Sequence, residues 1–187
     1  MDMRFTENRK IACVVLVVCI LLSIVAFGGG ALARERKKVL KVFNDGADTS
    51  LSTRHSMDAY LDSAADCALI MASEVEINQG ESQLTKDMNE AAADLKNDKL
   101  SLDVRYERFE SLKTNAEKAY SSLYGAVDEA GFRDFKLAYD DFKGYVDMAE
   151  RDENHKLAKS YNGLISGFPG GLVATITGQG ELSTFGG

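Results

Sequence analysis

The 187-residue chain has no tryptophan, one proline (Pro169), two histidines (His55 and His155) and three cysteines. Scarce proline removes the strongest helix breaker, and abundant Ala, Leu, Lys, Glu and Asp favour long helices. The histidines sit in no His-x-x-x-His or Cys-x-x-Cys arrangement, so a zinc site has little support. His155, with Asp152 and Glu153 nearby, suits a helix start better than catalysis. Cys13 and Cys19 lie inside an apolar run, and Cys67 stands alone in the rest of the chain, where it reads as a small buried hydrophobe. No Gly-x-Ser-x-Gly elbow and no matched nucleophile and base occur. Gly178-Gln179-Gly180 follows no clear strand and opens no clear helix, which favours a flexible tail over a phosphate loop. Sustained period-two alternation is missing everywhere except the short stretch from Leu172 to Thr177. These absences predict a protein that is not an enzyme, with no catalytic residue, no cofactor and no metal.

Charge is also missing, entirely, from Ile11 to Ala33. At about 1.5 Å per residue in a helix, the apolar run to Phe27 is slightly short for a hydrocarbon core roughly 30 Å thick. The glycines and small residues up to Ala33 complete the span. The bilayer is therefore the first expected partner, contacted through residues 11–33. Two readings compete for this leader. Arg4, Arg9 and Lys10 form a basic start and Ala31-Leu32-Ala33 a small-x-small cleavage site, as in a signal peptide. The length of the run, and its passage straight into Arg34-Glu35-Arg36-Lys37-Lys38, favour an uncleaved anchor. That predicts a single-pass protein of the cell membrane. The basic residues on both flanks leave the side of the soluble domain open.

Beyond Arg34 the chain is polar and acidic. Its formal charge is −7 overall, and setting Arg4, Arg9 and Lys10 against Asp2 and Glu7 leaves the remainder more acidic still. Such a domain repels nucleic acid, whose binding depends on phosphate neutralisation.

The span is expected to run on as a helix through Val39, Leu40 and Val42-Phe43 until Asn44-Asp45-Gly46 breaks it. A second helix starts near Ser50 or Ser52, with a seam of Met57, Tyr60 or Leu61, Ala64, Ala68, Met71 and Val75. A third carries Leu84, Met88, Ala91 or Ala92, and Leu95. Ser101 caps a fourth, whose seam runs from Leu102 through Phe109 and Leu123 to Val127. Gly131 marks a turn, and a fifth helix carries Phe132, Phe135, Tyr139, Phe142, Val146 and Ala149. Asp152 caps a sixth, which must end by Phe168 because the residue before proline avoids helical geometry. The glycine-rich stretch after Pro169 is expected to be irregular, folding back through Leu172, Ile176, Leu182 and Phe185. The predicted fold is all-α, a transmembrane helix followed by an antiparallel up-and-down helical bundle.

The last third carries a pattern: Tyr161-Asn162, then Ile165, Phe168-Pro169, Leu172, Gly178, Leu182 and Phe185. It resembles the C-terminal signature of the bacterial LemA family, and Val42-Phe43-Asn44-Asp45-Gly46-Ala47 is similar to one branch of it. The resemblance implies a short N-terminal flank (1–10), a transmembrane anchor (11–33), a helical bundle (34–169) and a Gly-rich tail (170–187). It implies no reaction. Many members carry an Arg-Arg…Leu-Ile-Pro-Asn-Leu stretch, whereas this chain reads Arg54-His55…Leu61-Asp62-Ser63-Ala64 without the proline. Tyr161, Ile165 and Phe168 share one helical face and are expected in the core, with Asn162 bonding a loop carbonyl.

Asp58, Asp62 and Asp66 recur at i, i+4 and i+8, a strip of carboxylates on the second helix. The sharper reading is a cation or basic-partner site; the plainer one is a solvated face. Asp140-Asp141 with Asp147 are read the same way. Aromatics at helical spacing, among them Tyr106, Phe109, Tyr120, Tyr124 and Tyr145, read as core first and ligand pocket second. Together these features predict an anchored, non-enzymatic interaction or scaffolding module with a protein partner. The alternative is a ligand-sensing bundle coupled to its anchor.

Overall fold

The computed structural model describes residues 3–46 and 56–185. Among these the chain is helical and contains no strand: α1 (Met3–Asp45), α2 (Met57–Gln79), α3 (Gln83–Leu95), α4 (Leu102–Leu123), α5 (Glu129–Glu150), α6 (Asn154–Ser166) and α7 (Gly170–Thr177). One helix is long and apolar enough to cross a membrane, the part of α1 from Arg9 to Asp45.

That helix is continuous. It is about 65 Å long at 1.5 Å per residue, and nothing separates its apolar half from its charged half. Nearly every residue from Arg9 to Phe27 is exposed, whereas Gly29, Leu32, Val39 and Phe43 are buried along one stripe. The helix stops where expected. Gly46 takes a positive φ of 82° and donates its N–H to the Val42 carbonyl at 2.9 Å.

α2 begins at Met57, capped by the Ser56 hydroxyl, which accepts from the Ala59 N–H at 3.1 Å. The expected starts at Ser50 and Ser52 lie outside the described residues. Its seam is the centre of the protein: Met57, Leu61, Ala64, Ala68, Met71 and Val75 are all buried, with Leu61 taking the core position and Tyr60 half-buried beside it. Small residues let neighbours approach closely, and α2 packs most extensively on α5 and α3 while also touching α4 and α1.

Side-chain pairs give the chain directions. Asp66 meets Lys96 and Glu76 meets Asn89, so α2 and α3 are antiparallel. Arg105 reaches Leu95 and Arg108 reaches Glu90, which makes α3 and α4 antiparallel as well. Lys113 pairs with Glu150 while Glu117 faces Lys143, so α5 runs opposite to α4. The up-and-down order holds, with α5 resting mainly on α2 and touching α4 only lightly.

Several boundaries differ from expectation. α4 ends at Leu123, because Gly125 turns the chain with φ 76°, and Val127 packs on the core from the loop. Gly131 is no turn. It lies in the first turn of α5, where its N–H donates to the Asp128 carboxylate at 2.8 Å. Asp152 is not the cap of α6: the cap position is Glu153, without a side-chain cap bond, and Asp152 sits one residue earlier, its carboxylate accepting from the Asn154 N–H at 2.8 Å.

The expected irregular tail is corrected most. Residues 170–177 form α7, so Leu172 to Thr177 is helix and no strand. Glycine makes this corner possible: a Cβ on Gly170 would stand 1.9 Å from the Leu164 carbonyl oxygen. Val173 and Ala174 are the buried residues of α7, while Leu172 and Ile176 face outward. Leu182 and Phe185 fold back as expected. Phe168 does not join Tyr161 and Ile165 in the core. It is 89% exposed, because the helix ends at Ser166 and the shared face ends with it.

Two cores result. The larger joins α2, α3, α4 and α5 around Phe109, Phe135 and Phe142, and takes in Phe43 from α1 and Phe185. The smaller packs Leu32 and Val39 of α1 against Ala158, Tyr161, Ile165, Val173, Ala174 and Leu182.

Candidate functional site

The two cores meet at a cleft of about 420 Å³ where α1, the start of α2, the α3–α4 turn and residues 181–182 converge. Its charged lining is Arg36, Asp58, Asp98, Asp103, Arg105 and Glu181. Arg105 organises the floor. The side chain is 3% exposed. Its Nη2 donates to Asp58 Oδ1 at 2.5 Å and its Nε to the Leu95 carbonyl, an otherwise open helix end, at 2.8 Å. Its guanidinium also lies 5.5 Å from the centroid of the Phe43 ring. One side chain thus ties α4 to α2, α3 and α1. Across the cleft, the Ser183 hydroxyl donates to Asp103. Arg36 Nε is buried with no hydrogen-bond partner.

The strip of carboxylates resolves into three different environments. Asp58 is engaged by Arg105. Asp66 pairs with Lys96 at 2.6 Å near the surface. Asp62, between them, has a buried Oδ1 with no partner, and burial, with the charge of Asp58 adding to it, raises its pKa above the usual aspartate value. The three do not converge, and among the described residues no group of three His, Cys, Asp or Glu is placed to hold a metal ion. Asp140, Asp141 and Asp147 are not drawn together either; Asp140 pairs with Lys136 and Asp147 with Arg151 along α5 and its end.

The remaining candidates are structural in geometry. His155 Nε2 stands 2.8 Å from the Ala149 carbonyl oxygen, bracing the α5–α6 turn. His55 and Arg54 lie outside the described residues. Cys67 is buried, and that burial pushes its thiol pKa up to about 11. Asn162 does bond a loop carbonyl, and its other end is used as well. Its amide nitrogen donates to the Leu182 carbonyl at 2.8 Å and its oxygen accepts from the Leu182 N–H at 2.9 Å. The Tyr161 hydroxyl donates to the Gly180 carbonyl at 3.3 Å, and burial raises its pKa. Tyr139 is raised as well, first by burial and then by its hydrogen bond to Glu117. The aromatics fill the core: the Phe185 ring lies 5.6 Å from Phe43, 5.6 Å from Tyr106 and 5.8 Å from Phe109. Tyr124 does not, being exposed just past the end of α4 though stacked on Tyr120, and Phe27 and Phe168 are exposed as well.

No protein-family model, no curated protein and no solved structure matches this chain. The arrangement itself offers ion pairing and hydrogen bonding at the cleft.

Sequence reasoning missed Arg105 and Arg36. Arg105 was findable, since it falls three residues after Leu102 and four before Phe109, on the buried seam of α4. A charge on an apolar seam signals a partner inside. Arg36 carried no such signal within its basic cluster.

Proposed function

We propose that this chain is a LemA-like single-pass membrane protein whose helical bundle serves as a non-enzymatic interaction or scaffolding module at a bacterial envelope. The observation that carries the reading is the division of α1. From Ile11 to Phe27 it is apolar and exposed nearly throughout, and beyond that it is built into both cores through Leu32, Val39 and Phe43. A bare apolar rod of this length is costly in water and stable in lipid. Anchoring then concentrates the acidic helix faces of α2 and α5 at the bilayer, where they supply a surface for a basic protein partner. The reading is tested on the full chain with a C-terminal tag. It should stay with membranes through alkaline carbonate washing and carry a defined protein partner through detergent capture. Recovery of the intact chain in the soluble fraction would sink the anchor. Protease access to the tag in intact cells assigns the side of the membrane.

A second reading has its own support. The mixed-charge cleft lies between the anchor helix and the bundle, with Arg36 Nε unpartnered at its edge. A small molecule with both anionic and cationic groups fits that lining and would couple to α1 directly. Native mass spectrometry of the purified full chain distinguishes the readings: a bound small molecule favours the sensor, and a protein complex without one favours the scaffold.

A further inference from the structure

Outside α1, the exposed large apolar side chains are mostly scattered singly, as on any soluble surface. One group is different. Leu164, Phe168, Leu172 and Ile176 are all exposed, and all belong to the corner where α6 turns into α7.

Register places this corner at a definite height. The Asn154 side chain donates to the Val39 carbonyl at 3.0 Å, which sets the start of α6 beside Val39. α6 then runs back along α1 toward its apolar half, because Tyr161 and Ile165 pack with Leu32, and Val173 and Thr177 of α7 reach Gly28 and Gly29. From Asn154 to Ser166 the climb is about 18 Å, the same as from Val39 back to Phe27. Phe168 therefore stands level with the last turns of the bare apolar rod, where Phe27 is itself 80% exposed.

Charge follows the same heights. Residues 160–180 contain no Asp, Glu, Lys, Arg or His, matching the uncharged residues 11–33 of α1. Just outside these limits lie Lys156, Lys159 and Glu181, and, on α1, Arg34, Glu35, Arg36, Lys37, Lys38 and Lys41, a mainly basic set. Basic side chains at that level suit phosphate headgroups. The polar groups of the corner are also turned inward. The hydroxyls of Ser166, Thr175 and Thr177 donate to the carbonyls of Gly163, Gly171 and Val173. The Gly171 and Val173 N–H groups close on the Gly167 and Pro169 carbonyls. A segment that enters hydrocarbon must satisfy its backbone in this way.

We propose that the α6–α7 corner, from Leu164 to Ile176, is seated in the same bilayer face that α1 crosses, as an apolar wedge that enters the membrane without spanning it. This rests on the anchor reading. The chain thus holds the membrane at two points, and the bundle is fixed in tilt relative to the lipid surface.

The lack of tryptophan supplies the test. Three full-length variants, Phe168→Trp, Val18→Trp in the apolar rod and Tyr124→Trp at the far end of α4, are reconstituted separately in phosphatidylcholine–phosphatidylglycerol vesicles, with and without brominated acyl chains. All three replaced side chains are exposed, so the fold should persist. The expected result is blue-shifted emission from Phe168→Trp and a loss of emission on brominated lipid within a factor of about two of that of Val18→Trp, with Tyr124→Trp unaffected. If Val18→Trp is quenched and Phe168→Trp behaves like Tyr124→Trp, the wedge is wrong and the anchor stands. A blue-shifted Phe168→Trp that resists the brominated lipid would mean that protein, such as a second copy, covers the corner, and overturns the proposal. If Val18→Trp itself is not quenched, the anchor reading fails and the wedge fails with it.

Discussion

Arg105 is the residue on which most local structure depends. It satisfies the Asp58 carboxylate and the last carbonyl of α3 at once. Replacing it with Met keeps much of the volume but leaves both acceptors without their donor, and removing one partner of a buried ion pair costs about 3 kcal/mol. The expected outcome for Arg105→Met is a clear fall in Tm, read by circular dichroism of the full chain in detergent, with part of the loss recovered in the Arg105→Met, Asp58→Asn double variant. Asp62 has the opposite sign. Burial raises its folded pKa above the unfolded value of 3.8. The folded state therefore holds its proton more tightly, and stability is lost as pH rises through the raised value. Asp62→Asn should raise Tm at neutral pH, modestly because the site is partly solvent-screened. The gain should shrink as pH falls into the window between the raised value and 3.8. Cys67, with its thiol pushed up to about 11, should resist alkylation at mildly alkaline pH until the protein unfolds. Thiol labelling with and without denaturant, read by mass spectrometry at that peptide, checks this.

At the scale of elements, the helix seams were legible because they follow a period that a helix must bury. Each apolar position expected on α2 and α5 is buried or packs on the core. Caps were legible where a hydroxyl or carboxylate preceded a seam, as at Ser101, which accepts from the Val104 N–H at 3.4 Å. α7 was not legible, since its two leading glycines and its run Leu172 to Thr177 combine poor helix formers with β-branched residues, and its helix depends on docking against α1. That docking uses the glycines of α1 unequally. A Cβ at Gly29 would stand 2.8 Å from Thr177 Cγ2, whereas one at Gly30 meets nothing within 4 Å. Gly29→Leu should therefore lift α7 and raise hydrogen exchange across residues 170–177. Gly30→Ala should leave that exchange unchanged and stabilise the helix by up to about 1 kcal/mol.

At the scale of the whole molecule, one side chain joins regions far apart in sequence. Phe185 is 2% exposed and its ring sits among Phe43, Tyr106 and Phe109. Phe185→Ala should cost about 3–5 kcal/mol through the cavity it leaves. Thermal unfolding should show that loss, and Ser183 and Leu182 should lose protection from exchange with it. The all-α bundle could be read from composition and periodicity, while the fusion of α1, α6 and α7 into a second core could not. Contacts between residues more than a hundred positions apart leave no local pattern, and the hydrogen bond from Asn154 to Val39 is one of these.

That separation bears on the order of assembly. α2, α3 and α4 are joined by short turns and pack on one another in chain order, and α5 then returns to α2 across the two helices between them, so the loops their core must close are shorter than the one that joins α6 to α1. The return of α6 to α1 must close a loop of 115 residues. Folding should accordingly run in two stages, with the central bundle formed first and α1 clasped by α6 and α7 afterwards.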